Sequence, residues 1–528
     1  MLDFDVPVVS LAPLDWVIVA AYIAGMLYIG YWFSRKSRGF DDYFMAGKSI
    51  TAPLLVGTLV STFYGLDTLF GTSEVGFYEG ISAFFAYSLP YTALYVVMAF
   101  LSPQFKSRFP DNSTMQDIAF QKYGNKAGVI TSIASFIYST NTMEMMGIGF
   151  LLHLVLGMPF WLGVLVGAVV VVGYTLTGGL WAVVVTDFVQ FFIMLVTVGV
   201  GLIIAWYELG GYDNIIKGLE SFVGEDPSYY FAPGAGYLTT WTLIAYSVTA
   251  LAVLCDPAFF QRMFAAAGPK EIKKAFAAGV PMWLSFDWAV SFLGIAGAAA
   301  IGLGVIPDVE PNEALFSILG EYLPVGVLGL AFVGVIAAAM STADSYFLAS
   351  GGVIGYDLYK VVRPQSTGPQ RQRMVKYGIL ISAVLSVSLA FAFERIMTVW
   401  VFQATIIVCT ALIPVYMGTF LKKRPKKIAG TLAAGVGLVL SLGYYLAVML
   451  LGYWDSNWEV QVLKLPEMPF FDVPGISVVY LWTEYGILII TPIVLVVFLL
   501  ANWLGKDVEP DAPAASAPQA GPTEEVTS

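Results

Sequence analysis

The stretch "TLVSTFYGLDTLFG", Thr58 to Gly71, decides how the chain is read. It lies in an apolar run, yet Gly57, Gly65 and Gly71 dilute that run, and Ser61, Thr62 and Asp67 place polar groups inside it. Glycine and hydroxyl residues weaken a continuous helix, and unwound backbone is tolerated at membrane depth only where it lines a cavity. The stretch therefore reads as a helix broken near Gly65, with freed carbonyls at the break and Asp67 opening the second half.

That reading needs a membrane, and composition supplies one. The 528 residues are 58% hydrophobic and 12% charged, with a mean hydropathy of +0.77, which describes a polytopic membrane protein. Cys255 and Cys409 both lie in apolar runs and His153 is the only histidine. A disulfide framework and a His-rich metal or haem site are thereby excluded. The first run, Pro13 to Ser34, follows an acidic flank and precedes no small-residue cleavage site, so it reads as a retained first helix.

Runs of about twenty apolar residues, enough to cross the hydrocarbon layer, recur at about thirteen places. They span 13–34, 52–80, 81–103, 127–156, 159–177, 180–207, 237–262, 274–304, 323–350, 374–393, 396–420, 428–452 and 477–504. Lys and Arg gather in alternate loops: Arg35 to Lys48, Lys106 to Lys126, Lys270 to Lys274, Arg363 to Lys376 and Lys422 to Lys427. The loops between them are acidic, as at Glu208 to Asp226 and Asp308 to Glu313. Positive loops face the cytoplasm, which puts the N-terminus outside and the C-terminus in the cytoplasm of a multi-pass cell-membrane protein. Residues 1–504 form the membrane domain, and 505–528 read as a disordered acidic tail. The net charge of −11 comes partly from that tail and the outer loops. It reads as a solvated surface that calls for no nucleic acid.

A second polar stretch, "IAAAMSTADSY" (Ile336 to Tyr346), breaks the ninth run. Ala338, Ser341, Thr342 and Ser345 fall on one stripe of a helix. Hydroxyls there, with carbonyls freed in the second span, make an oxygen set suited to a hard cation. Alternatively, the same residues only pack helices together and bond back to their own carbonyls.

Each ionised acid in a bilayer segment costs on the order of 3 kcal/mol and needs a partner or a wet cavity. The candidates are Asp67, Glu74, Glu144, Asp187, Asp287 and Asp344. Glu74 and Asp287 read as helix-end residues in water, and no mid-helix Lys or Arg offers itself to the others. A pocket holding such acids favours a solute with positive charge. Phe63, Tyr64, Tyr138, Trp241, Tyr246 and Phe402 are aromatics that can wall it or hold an ammonium, and Gln403 is a further polar candidate. At least one of Asp67 and Glu144 is expected to touch a positive group on the solute.

Four segments resemble, in order, motifs of the sodium:solute symporter family: "DDYFMAGKSI" after the first span, "TGGLWAVVVTDFVQFFIM" at Thr177 to Met194, "CDPAFFQRMFAAAGPKEIKKA" after the seventh span, and "AAAMSTADS" with the later "DLYK". The resemblance covers roughly Asp41 to Lys360. It implies an all-α fold of about thirteen transmembrane helices, a five-plus-five inverted repeat like that of the bacterial leucine transporter. The two repeats cover about 52–207 and 237–420, with spans 1, 12 and 13 peripheral.

Carried over by position, the family's sodium site takes the Ser341 and Thr342 side chains and the carbonyls of Ala338, Ser61 and Tyr64. Asp187, Ser345 and Asp344 form a candidate second site for sodium or a proton. Asp256, Gln261 and Arg262 read as a structural or gating cluster at a helix end, and the chain has Asp256-Pro257 where the family pattern has Asp-Gln. The implied function is sodium-coupled import of a small solute by alternating access, for which an amino acid or other zwitterionic or cationic solute fits best. The alternatives are a proton-coupled symporter or a sugar or carboxylate symporter of the same fold, and, further off, a non-transporting nutrient sensor. No nucleophile–base pair marks an enzyme. The partners are sodium, the solute and the bilayer, with no obligate protein partner implied.

Overall fold

The computed structural model describes residues 9–35, 39–224, 226–233, 240–309, 311–393, 396–455, 460–464 and 480–505. Most of the proposed tail, 506–528, lies outside them. The architecture is helical because nearly every segment is an apolar run that must satisfy its own backbone hydrogen bonds in lipid. Among the described residues, ten helices are long and apolar enough to span a membrane, or up to twelve if each of two bent pairs is one span.

The helices that matter are α1 (Pro13–Ser34), α2 (Ala52–Phe63), α3 (Ser73–Glu79), α4 (Leu89–Arg108), α5 (Asn125–Tyr138), α6 (Thr142–Leu156) and α7 (Phe160–Glu208). After them come α8 (Thr240–Thr249), α9 (Pro257–Ala265), α10 (Pro269–Gly302), α11 (Val327–Gly352), α12 (Gly368–Ala390) and α13 (Ile396–Ile407). The series closes with α14 (Ile413–Phe420), α15 (Lys427–Leu451) and α16 (Gly486–Leu504).

The expected runs 159–177 and 180–207 form one helical stretch, α7, interrupted at Gly179. There φ is +63°, and a Cβ would sit 2.6 Å from the Tyr43 carbonyl oxygen. A left-handed residue in such close quarters must be glycine, which gives the Gly178-Gly179 pair of the signature segment a structural reason. The expected run 477–504 is only partly helical. Tyr480–Trp482 is instead the edge of a small antiparallel sheet with Val460–Lys464 in the middle and Tyr453–Asp455 beyond, and α16 starts at Gly486. An aromatic strand suits a half-buried cap over the helix ends better than a helix in lipid.

α3 and α10 approach closely through small residues. A Cβ at Gly294 would lie 2.0 Å from the Ser73 carbonyl oxygen, and one at Gly76 would lie 2.4 Å from that of Ser291. Membrane helices use small residues for such contacts. Gly294→Ala is therefore expected to lower stability by about 1–3 kcal/mol, read as a fall in thermal unfolding temperature in detergent. A wild-type temperature would show that the helices separate at no cost.

Candidate functional site

The break foreseen at Gly65 is present. α2 ends at Phe63, Tyr64 turns to φ −110°, ψ 64°, and a widened turn over Asp67–Thr72 leads into α3, the two halves meeting at 58°. A second break, between α8 and α9, runs through a tight turn over Ala250–Cys255 to Asp256, whose carboxylate caps α9 through the Phe259 amide at 2.7 Å. A third separates α5 from α6 at Ser139–Asn141. The Asp256-Pro257 pair signalled the second, since an acid before proline is a helix start. The third had no glycine or proline to mark it.

Freed backbone groups at the breaks need partners. The Leu66 N–H donates to Glu144 Oε2 at 3.1 Å. Gln403 Nε2 donates to the Thr140 carbonyl at 3.0 Å and to Thr140 Oγ1 at 2.6 Å. Glu144 and Gln403, both expected among the solute contacts, thus hold the first and third breaks.

Three of the five predicted sodium ligands converge at the first break. Ser341 Oγ lies 3.0 Å from the Ser61 carbonyl oxygen and 3.1 Å from that of Ala338. Thr342 Oγ1, one residue on, is buried without a hydrogen-bond partner among the described residues. Tyr64 has its backbone turned out of helical geometry, while its side chain points elsewhere: the ring stacks on Phe286 at 3.8 Å and the hydroxyl donates to the Trp283 carbonyl. A small cavity of about 10 Å³ lies against Ser61 and Tyr64, closed by Met194 and Phe286.

The predicted second site holds a cation that was not expected there. Arg262, read as a helix-end residue, is fully buried and pairs with Asp187 at 3.2 Å. The expectation that no basic side chain meets the buried acids is therefore corrected. The broken span turns at Asp256, and α9 then carries Arg262 one and a half turns into the protein interior. Its Nε donates to Thr58 Oγ1 at 2.7 Å and its Nη2 also donates to Ser345 Oγ. Asp187 Oδ2 further accepts from Thr58 Oγ1 at 2.5 Å. Ser345 Oγ lies 3.0 Å from Thr62 Oγ1 and 3.2 Å from Asp344 Oδ1. Asp187 Oδ1 and Asp344 Oδ2 are buried with no hydrogen-bond partner among the described residues. Two buried carboxylates thus lie in one cluster with a single guanidinium, which pairs with Asp187.

Beside the first break lies a cavity of about 50 Å³ lined by Phe63, Tyr64, Tyr91, Tyr95, Trp400 and Asp287, with Thr68, Thr72, Tyr87 and Met397. Asp287 is mid-way along α10 and only 7% exposed, so its expected place at a wet helix end is corrected. The helix begins at Pro269 and runs to Gly302, so Asp287 sits near its middle rather than at an end.

The remaining candidates distribute as follows. The Asp67 side chain lies outside what the structure describes. Tyr138 donates to Asp256 at 3.0 Å, beside Tyr346, which donates to the same oxygen at 2.6 Å. Tyr246 stacks behind the cavity on Tyr87 at 5.0 Å. Phe402 faces Tyr445 of α15 at 4.4 Å, away from the cavity, and Trp241 is 57% exposed. Both were misread because a helix's rotation about its axis does not show in an apolar run without polar periodicity. Gln261 Nε2 bonds the Phe44 carbonyl at 2.9 Å.

The sodium:solute symporter family model matches residues 43–436. The sodium/pantothenate symporter of Haemophilus influenzae is 24% identical over 393 residues, covering 72% of this chain and 78% of that one. The sodium/glucose cotransporter of Vibrio parahaemolyticus is 23% identical, covering 83% and 85%. Among solved structures, a sodium-coupled sialic acid symporter in a substrate-bound, outward-open state has the same fold, with a TM-score of 0.71 at 14% identity, covering 94% of this chain and 99% of that one. With a family match spanning most of its length, the chain belongs to the sodium:solute symporter family: it is a multi-pass membrane transporter, not an enzyme, and sodium is its coupling ion.

Proposed function

We propose that the chain imports a small organic solute by alternating access, driven by sodium bound at the break between α2 and α3. The observation that carries the reading is the convergence of Ser341 Oγ on the Ser61 and Ala338 carbonyl oxygens, with the unpartnered Thr342 hydroxyl beside them. Hydroxyl and carbonyl oxygens are what a hard monovalent cation takes in exchange for its water, and Tyr64 completes the proposed set. The breaks at Tyr64 and Asp256 fall in the first helices of the two proposed repeats, about 52–207 and 237–420, which supports an inverted five-plus-five core with α1, α15 and α16 outside it. The N-terminus is proposed to lie outside and the C-terminus in the cytoplasm.

The test is uptake into proteoliposomes with an inward sodium gradient, compared with potassium in its place. Accumulation is expected with sodium. Equal accumulation with potassium or under a pH gradient alone would favour a proton-coupled symporter.

A second cation, sodium or a proton, is proposed to bind beside Asp187, Asp344 and Ser345, where one negative charge exceeds the Arg262 guanidinium. Asp344→Asn is expected to lower the number of cations moved per solute, measured from the solute gradient that just balances a set sodium gradient. Unchanged coupling would remove the second site.

A further inference from the structure

We infer that the solute is a small organic cation, an alkylated ammonium without a carboxylate, held with its nitrogen between Asp287 and the aromatic wall of the cavity at the first break. The inference rests on the symport reading above and narrows its solute.

Three observations point the same way. Among the described residues lining the cavity, Asp287 is the one that carries a charge, and that charge is negative, buried and mid-helix. Arg262, the buried cation nearest in kind to what an anionic solute needs, is held by Asp187, Thr58 and Ser345. A buried carboxylate in low dielectric gains most from a cation brought to it.

Next, the polar ends of several wall aromatics are tied into the protein. The Tyr64 hydroxyl donates to the Trp283 carbonyl, Trp400 Nε1 donates to Thr249 Oγ1 at 3.3 Å, and the Tyr91 hydroxyl lies 3.1 Å from that same Oγ1. What these rings offer inward is π surface, which suits an alkylated ammonium better than a polyhydroxylated sugar that must find a partner for every hydroxyl.

Finally, one amide freed at the break, that of Leu66, is already taken. In transporters with broken helices the N-terminus of the second half-helix faces the anionic group of the substrate. Here the Leu66 N–H donates to Glu144 Oε2 at 3.1 Å. A solute carboxylate at that place would meet a protein carboxylate, so the chain rejects by charge what the break would otherwise bind.

The test uses the full chain in proteoliposomes and in detergent, with choline, tetramethylammonium, betaine, proline, glucose and pantothenate as probes. Betaine carries the quaternary nitrogen of choline plus a carboxylate, so the pair isolates the excluded group. Sodium-driven choline uptake is expected, with betaine at least roughly tenfold weaker. Asp287→Asn is expected to raise half-saturating choline roughly 30-fold or more, and Asp287→Glu to recover part of it. The thermal shift given by sodium alone should survive in Asp287→Asn, showing an intact ion site. Preference for betaine, proline, glucose or pantothenate, no response to choline or tetramethylammonium, or an Asp287→Asn variant with normal choline uptake would each overturn the inference while sodium symport stands. If instead sodium neither shifts stability nor drives any probe, the symport reading itself fails.

Discussion

Arg262→Gln is expected to abolish sodium-driven uptake and to destabilise the protein by about 3–5 kcal/mol, the cost of leaving a buried charge without its counter-ion. The guanidinium joins four elements: Thr58 of α2, Asp187 of α7, Ser345 of α11 and, through Nη1 at 3.3 Å, the Ala258 carbonyl of its own helix α9. Removing it leaves the buried Asp187 and Asp344 carboxylates without the guanidinium. Arg262→Lys keeps the charge but loses the planar fork, so an intermediate loss is expected. The partner variant decides the mechanism: adding Asp187→Asn to Arg262→Gln should restore part of the stability, because it removes the orphaned charge, whereas independent sites would add their costs. Thermal unfolding of the four proteins of this cycle measures the coupling. A wild-type melting temperature for Arg262→Gln would show that the pair contributes nothing.

The second large effect concerns the ion. Ser341→Ala and Thr342→Ala each delete one hydroxyl oxygen from the proposed site and are expected to raise the sodium concentration for half-maximal uptake roughly tenfold each, the loss of one polar contact to a charged group. Solute affinity at saturating sodium should change little, since neither side chain lines the solute cavity. Both residues are buried on α11, where a missing oxygen leaves only a small void, so folding should persist. Packing alone predicts the opposite pattern: slightly lower stability with an unchanged sodium requirement.

Much of this was legible in the chain. The glycines and hydroxyls of Thr58 to Gly71 announced a broken helix, and the break falls at Tyr64 to Leu66. The stripe Ala338, Ser341, Thr342, Ser345 was readable from helical spacing, and one of its members, Ser341, donates to the Ser61 and Ala338 carbonyls. Less legible was which acid faces which element. Asp187 read as unpaired because Arg262 lies 75 residues away beyond a break that only tertiary packing explains. Glu144 read as a solute contact, since no sequence pattern reveals that an amide freed in α2 needs an acceptor from α6. Asp287 was set aside because an isolated acid in an apolar run gives no depth until the start of its helix is known, and Pro269 moves that start earlier than the expected 274. Phe402 and Gln403, adjacent in sequence on α13, meet different neighbours, one Tyr445 and the other Thr140.

The most direct test is equilibrium binding of radioactive sodium to the purified protein without solute, for the wild type and the Ser341→Ala/Thr342→Ala variant, with Asp287→Asn as the folded control. Saturable binding in the wild type and in Asp287→Asn, with the double variant weakened roughly a hundredfold, is the predicted result. Equal sodium affinity in all three proteins would contradict a sodium site at the break between α2 and α3.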